Sequence, residues 1–255
     1  RPPFFMLINY SEHIDKLNDF RKGKVKEALK LGHKELDSNF RFVAGNMNFI
    51  LGHNNVGKTH FTFYLMLLYS IKHKIKWLVF SSENDPVQLI KKLIEFIEGK
   101  PINKIEEKDY IESRDFVYNH FKFVDINRQY TYKELLDLAT NIKNAWDFDG
   151  FLIDPINSLR KDLTNTNGYE YSYECLTDIR LFCKKYNVST WICAHAVTES
   201  LRRKHNPSHE FGGMTPPPSI GDSEGGAVNG NRCDDFLICH RYIASPDAWM
   251  YTRLY

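Results

Sequence analysis

The sequence of 255 residues has no long apolar run and no secretory leader pattern. Its longest apolar stretch, Phe61 to Ile71, is interrupted by Thr62 and Ser70. That stretch is well short of the roughly 20 apolar residues that span a bilayer. No charged segment followed by an apolar core opens the chain, as a signal peptide would require. The pattern excludes a membrane-spanning or secreted protein, so we expect a cytoplasmic one.

Cysteine is scarce, and no two cysteines form a C-x-x-C pair. The five are Cys175, Cys183, Cys193, Cys233 and Cys239. Disulfide frameworks and structural zinc sites depend on paired short spacings. The pattern therefore argues against both kinds of site and favours a reducing compartment.

The sequence also lacks a charge of one sign, because 34 Lys and Arg residues face 32 Asp and Glu residues, for a net charge of +2. The molecule as a whole is therefore not a polycation. Any contact with nucleic acid must come from local basic loops. With 42% hydrophobic and 26% charged residues the composition is that of a folded globular protein, and no internal repeat is visible.

From Asn48 onward, short apolar runs alternate with stretches of helical periodicity. This alternation is typical of an α/β fold, a mainly parallel twisted sheet flanked by helices. The predicted strands are 48–51, 77–81, 122–125, 150–153, 190–194 and 236–240. The predicted helices are at about 57–73, 85–98, 106–119, 132–145 and 170–186. Two of these have clear start signals, Asp85-Pro86 and the capping box Thr131-x-x-Glu134.

Two parts of the chain depart from this rhythm. Residues 1–30 form an N-terminal arm with a basic, weakly amphipathic linker helix, or else a solvated arm, and residues 31–255 form the main domain. Residues 196–222 hold several Pro and Gly residues that prevent a continuous helix, and long irregular segments of this kind are commonly functional. Residues 248–255 have the pattern of a strand that stops abruptly, so we expect the C-terminal end to be truncated.

One segment matches the phosphate-binding pattern G-x-x-x-x-G-K-[ST]. It consists of Gly52, His53, Asn54, Asn55, Val56, Gly57, Lys58 and Thr59. The glycines allow a tight turn that directs backbone N–H groups at phosphate oxygens, Lys58 supplies a charge, and the Thr59 hydroxyl can ligate Mg²⁺. A predicted strand precedes the segment and a helix follows it, as this loop requires. The sequence therefore predicts binding of a nucleoside triphosphate, with ATP and Mg²⁺ as the expected ligands.

Three more polar residues end predicted strands, where ligands meet parallel sheets. Asp154 ends an apolar strand and has the pattern of a magnesium-holding carboxylate, or else of a cap or turn acid. Glu83 has the position of a general base that orients water, or of an acid that caps the helix after Asp85. His195 leads directly into the irregular segment, where it either contacts the γ-phosphate or is an ordinary strand-end histidine.

In their order these motifs resemble the RecA-like P-loop NTPase core of DnaB-type and Twinkle-type ring helicases, including phage primase–helicases. The segments that carry the resemblance are 31–37, 45–52, 80–84, 153–159, 217–227 and 231–241. The resemblance implies that Lys58 contacts the phosphates, Thr59 and Asp154 hold the metal, and Glu83 is the catalytic base. It places His195 at a sensor position that Gln or His occupies in the family.

The resemblance further implies that the loops after Asp154 and after His195 face single-stranded DNA. Their cations, and one in the late segment, are the predicted DNA-binding residues: Arg160, Lys161, Arg202, Arg203, Lys204 and Arg232. Such cations follow phosphates without reading bases, although each is also compatible with ordinary surface charge.

The expected activity is ATP-driven translocation on single-stranded DNA with unwinding of duplex DNA, by a homo-hexamer in a bacterial or phage-infected cell. The resemblance also allows for a primase domain or a primase partner. No residue is a convincing match to the family's arginine finger, Arg253 included. Two alternatives remain at this stage: a RecA-like recombinase or repair ATPase, and a nucleotide-binding helicase loader without motor activity.

Overall fold

The computed structural model describes residues 10–24, 28–161, 167–226 and 228–255. The chain divides into two compact units, with the boundary between Val43 and Ala44. The boundary predicted after residue 30 remains a prediction. The N-terminal unit contains a 3₁₀ segment at Tyr10–His13, helix α1 (Ile14–Arg21) and helix α2 (Lys34–Asn39).

Helix α1 is shorter than the pattern of residues 11–30 allows. The chain leaves the helix after Arg21, and Gly23 takes a left-handed conformation with φ 65°. The short helix α2 was not predicted. The turn before it is held by Asp37, whose carboxylate accepts the backbone N–H groups of Leu31 and Gly32 at 2.8 and 2.7 Å.

The second unit alternates strands and helices. Its strands are β1 (Met47–Gly52), β2 (Trp77–Ser81), β3 (Phe121–Phe123), β4 (Gly150–Asp154), β5 (Ser189–His195), β6 (Asp235–His240) and β7 (Arg253–Leu254). Its helices are α3 (Lys58–His73), α4 (Pro86–Glu98), α5 (Glu107–His120), α6 (Tyr132–Ala145), α7 (Gly168–Tyr186) and α8 (Val228–Arg232). Short 3₁₀ segments, including Thr198–Arg202 and Ile220–Asp222, interrupt the irregular region after β5.

The seven strands form one sheet in the order β3-β2-β4-β5-β1-β6-β7. All neighbours are parallel except β6 and β7, which are antiparallel. The predicted mainly parallel sheet with flanking helices is therefore confirmed. The register pairs Gly52 with His195 and Ser81 with Asp154, so the predicted site residues meet at one edge of the sheet.

The strand predicted over residues 248–255 is wrong in extent. Only Arg253 and Leu254 pair with β6. Ala248 instead packs in a small buried cluster with Phe211 and Tyr242, and that packing favours turns over an extended strand.

Both predicted helix start signals are present. The Asp85 side chain accepts the N–H of Val87 at 2.9 Å at the start of α4. At the start of α6, Thr131 and Glu134 exchange the two hydrogen bonds of a capping box. These bonds satisfy N–H groups that a helix leaves open, and they fix where each helix leaves the sheet edge.

The core lies on both faces of the sheet. On one face, alternate β1 residues Met47, Phe49 and Leu51 belong to a buried cluster that includes residues of α6 and α7. On the other face, Trp77 and Trp191 pack edge to face at 4.8 Å between ring centroids. The register sets Gly150 opposite Trp77, and a Cβ at Gly150 would meet the indole ring at 2.3 Å. Among the described residues, no helix is both long enough and apolar enough to cross a membrane.

Candidate functional site

The phosphate-binding pattern forms a loop between β1 and α3. Asn55 and Gly57 take left-handed conformations with φ 62° and 89°, and Gly57 is the residue that precedes α3. The loop therefore ends on the N-terminus of a helix of 16 residues, where open N–H groups and the helix dipole favour an anion.

Lys58, the first residue of α3, is held against the end of β5. Only 5% of its surface is exposed. Its Nζ donates a hydrogen bond to the carbonyl of Ala194 at 2.9 Å and lies 3.4 Å from Nδ1 of His195. A buried ammonium group held in this position is directed along the sheet edge towards the predicted phosphate site.

Thr59 and Asp154 are joined directly, since Thr59 Oγ1 donates to Asp154 Oδ2 at 3.0 Å. Asp154 is 2% exposed at the end of β4. Burial raises the pKa of its carboxyl, and the charge of Lys58 and the Thr59 hydrogen bond oppose that rise. Mg²⁺ prefers oxygen ligands of these two kinds. A hydroxyl and a buried carboxylate within hydrogen-bond distance thus fit the ion that the sequence predicts.

Glu83 and His195 meet across the sheet edge. His195 Nε2 lies 3.2 and 3.3 Å from the two carboxylate oxygens of Glu83. The side chain of Asp85 caps α4, so the helix start does not depend on Glu83 as a capping acid. The structure therefore brings all three predicted strand-end residues to one place.

These residues line an open cleft of about 330 Å³. The lining is His53, Asn54, Asn55, Gly57, Lys58, Thr59, His60, Glu83, Asn84, Lys92 and His195. His60, Asn84 and Lys92 were not predicted. Lys92 lies on α4, and its place at the cleft depends on how that helix packs, which no local motif reports. Gly52 and Val56 of the phosphate loop are not in this lining.

Two members of the phosphate loop contact distant segments. The His53 ring lies 2.7 Å from Ser200 Oγ in the irregular region, and burial lowers the pKa of His53. The backbone carbonyl of Val56 accepts a hydrogen bond from Thr252 Oγ1 at 2.7 Å. The loop is thus fastened to the segment after β5 and to the segment before β7.

The predicted DNA-binding cations lie on three elements and have partners within the chain. Arg160 pairs with Glu134 at 3.6 Å and Lys161 with Glu224 at 3.9 Å. The partners of the others are Glu199 for Arg202, Asp222 for Arg203, Thr215 for Lys204 and, for Arg232, Thr177 with the Tyr173 ring. Their role in DNA binding remains a prediction.

Arg253 lies on β7. Its guanidinium lies 4.6 Å from the centre of the Phe211 ring and 4.0 Å from Glu210. Its nearest partners within the chain are thus an aromatic ring and one exposed acid.

No protein-family model and no curated protein matches this sequence. Solved structures do. The ATPase domain of a phage helicase superposes with a TM-score of 0.70 at 12% identity, over 93% of this chain and 85% of that one. A DnaB-like replicative helicase, solved with attention to its interactions with primase, gives a TM-score of 0.70 at 13% identity, over 98% of this chain and 66% of that one.

The resemblance inferred from the motifs and the similarity of the coordinates agree at the level of architecture. The chain has the RecA-like fold of DnaB-type helicase ATPase domains.

Proposed function

We propose that this chain is the ATP-hydrolysing motor of a replicative DNA helicase. The observation that carries the proposal is the joint arrangement of Lys58, Thr59, Asp154, Glu83 and His195 around one cleft at the carboxyl edge of the sheet. A phosphate loop alone supports only nucleotide binding. A carboxylate that faces the same cleft adds a group able to activate water.

The chain's own residues divide the work of hydrolysis. Backbone N–H groups of the phosphate loop and the Lys58 ammonium bind the phosphates. Thr59 and Asp154 are the residues that would hold Mg²⁺, whose chemistry when bound is charge neutralisation at the phosphate oxygens. Glu83 orients the attacking water and accepts its proton. His195, within reach of both Glu83 and Lys58, reports whether the γ-phosphate is present.

The link to DNA is supported by the fold and by the cations after β4 and β5. Those cations are exposed and follow directly on Asp154 and His195, so a strand of DNA bound there would lie next to residues that respond to the nucleotide. A homo-hexameric ring, with single-stranded DNA in its channel and primase as a further partner, is the assembly we propose. The 12 and 13% identities to the two helicase structures leave that assembly as a proposal.

The test is steady-state phosphate release from Mg²⁺-ATP by the purified chain, with and without single-stranded DNA. We expect hydrolysis that DNA accelerates. The variant Lys58→Ala should lose it by a factor on the order of 10² or more, because the buried charge at the phosphates is gone. Lys108→Ala removes an exposed lysine of α5 and should leave both rates unchanged.

Two outcomes would contradict the proposal. A chain that binds ATP but neither hydrolyses it nor responds to DNA would be a loader without motor activity. Filaments with strand-exchange activity and no unwinding would indicate a recombinase.

A further inference from the structure

A turn rich in glycine, residues 219–226, lies beside the end of β5. We call it the glycine turn. Gly225 and Gly226 take left-handed conformations with φ 102° and 74°. Asn229 fixes the turn from the other side, because its Nδ2 donates to Ser223 Oγ and to the carbonyl of Glu224. The turn is therefore an ordered element with a defined place for the Glu224 side chain.

The backbone of the glycine turn is bonded to the chain that follows His195. Ala196 and Ser223 form an antiparallel bridge, and Val197 N donates to the carbonyl of Asp222 at 2.8 Å. Glu224 N donates to the carbonyl of His195 itself at 3.3 Å. A shift of the glycine turn would thus act directly on the residue that contacts Glu83 and Lys58.

The Glu224 side chain is bonded to a different segment, the one that follows Asp154. One carboxylate oxygen accepts Asn157 Nδ2, and the other lies 3.9 Å from Lys161 Nζ. The Asn157 Oδ1 has no hydrogen-bond partner among the described residues, so its amide is held through Glu224. Glu224 therefore joins, through its side chain and its backbone, the two segments that begin at the metal carboxylate and at the sensor histidine.

We propose that Glu224 is a positioning residue that couples single-stranded DNA to the ATP site. Without DNA it holds Lys161 and Asn157. A DNA phosphate competes for Lys161, frees the carboxylate, and so releases the glycine turn from one of its two attachments and alters the position of His195. This rests on the proposed function, since it assumes that Lys161 meets DNA.

The exposure of the pair makes such competition feasible. The side chains of Lys161 and Glu224 are 45% and 52% exposed. Ion pairs of this exposure contribute little to stability, because water and salt screen them. A phosphate on a polyanion, which gains from counterion release as well, can therefore take the lysine from the carboxylate.

The test uses Glu224→Gln in the full chain, with two readouts: ATP hydrolysis without DNA, and binding of a labelled oligo-dT. We expect the DNA-free rate to rise towards the DNA-stimulated rate of the wild type, so that the stimulation ratio shrinks. The dissociation constant for the oligonucleotide should fall by about two- to fivefold, the factor that corresponds to one exposed ion pair. Glu224→Asp keeps the charge and should restore much of the stimulation.

Lys161→Gln is the second variant. It breaks the same pair from the other side, so the DNA-free rate should rise as in Glu224→Gln, while the affinity for DNA should fall. Opposite effects on affinity with the same effect on the DNA-free rate are not expected from a general loss of packing.

Glu199→Gln is the matched control. Glu199 also pairs with a cation of this region, Arg202 at 3.1 Å, and its loss changes the net charge by the same amount. A gain in DNA affinity shared with this control reflects charge alone, and its DNA-free rate should stay at the wild-type value. The proposal is overturned if Glu224→Gln and Lys161→Gln both keep the wild-type DNA-free rate. If the wild type itself does not bind DNA, the proposed function fails, and the DNA-free rates of the variants still report whether the glycine turn acts on the ATP site.

Discussion

Glu83 and His195 are 112 residues apart in the sequence, yet their polar atoms lie 3.2 Å apart at the cleft. The register of the sheet explains this, because β2 pairs with β4, β4 with β5 and β5 with β1. Every residue that ends one of these strands is delivered to the same edge. At the scale of single residues, the site is therefore a consequence of where four strands stop.

Glu83→Gln should separate hydrolysis from binding. The amide keeps the size of the side chain but cannot accept a proton from water, so the hydrolysis rate should fall on the order of 10²- to 10⁴-fold. Nucleotide affinity should change little, because the phosphate loop and Lys58 are intact. Phosphate release and binding of a fluorescent ATP analogue measure the two effects. Glu112→Gln, on the exposed side of α5, is the control, and an equal loss of binding and hydrolysis in Glu83→Gln would refute the assignment.

Residues with a motif were predictable, and residues placed by loop packing were not. Lys58, Thr59 and Asp154 follow from a loop pattern and an apolar strand that ends in an acid. The contact of His53 with Ser200 joins residues 147 apart through an irregular segment, and no periodicity fixes how such a segment folds back. The same holds for Thr252, whose hydroxyl reaches the phosphate loop from the far end of the chain.

At the scale of elements, the phosphate loop depends on Gly57 for two reasons. Its φ is 89°, and a Cβ there would lie 2.7 Å from Thr252 Oγ1. Gly99, which ends α4 with φ 65°, has nothing within 4 Å of such a Cβ and so isolates the first reason. We expect Gly99→Ala to lower the free energy of unfolding by about 1 kcal/mol through the left-handed backbone alone.

Gly57→Ala should cost more stability than Gly99→Ala and should also abolish ATP binding. Urea denaturation and nucleotide titration measure the two effects. The double variant Gly57→Ala, Thr252→Ala removes the clash and should recover part of the stability without recovering ATP binding. Equal losses of stability in Gly57→Ala and Gly99→Ala would contradict the steric account.

Elements with strong local signals were predicted to within one or two residues at each end. Helices α4 and α6 have caps in their sequences, and β2 and β4 are uninterrupted apolar runs between polar residues. Helices α2 and α8, of six and five residues, were missed, since elements so short carry too little periodicity to stand out. Strand β7 is short because the chain before it packs around Phe211 and Tyr242.

At the scale of the whole molecule, stability should depend on pH through His240. This residue ends β6 and is 3% exposed, with its ring edge to face against Tyr242 at 4.5 Å. Burial lowers its pKa from 6.5 to about 4. In the unfolded chain the ring takes a proton below about pH 6.5, but in the folded protein it does so only near pH 4. Stability is therefore full above pH 6.5 and is lost as the pH falls through this window.

Thermal unfolding between pH 7 and pH 4.5 tests this expectation. The wild type and His33→Gln, which alters an exposed histidine, should lose stability in parallel. His240→Gln should lose less, although it starts from a lower value. Identical slopes in all three proteins would show that other groups carry the pH dependence.

The sheet of the described chain ends on two very short strands, β3 with three residues and β7 with two. A long, flat edge strand is a template on which another chain can add its own strand, which leads to aggregation and domain swapping. Strands this short offer few open backbone groups for such pairing. When copies of this chain associate, the contacts must therefore come from side chains on helices and loops, and such contacts can slide or separate without breaking a ladder of backbone hydrogen bonds.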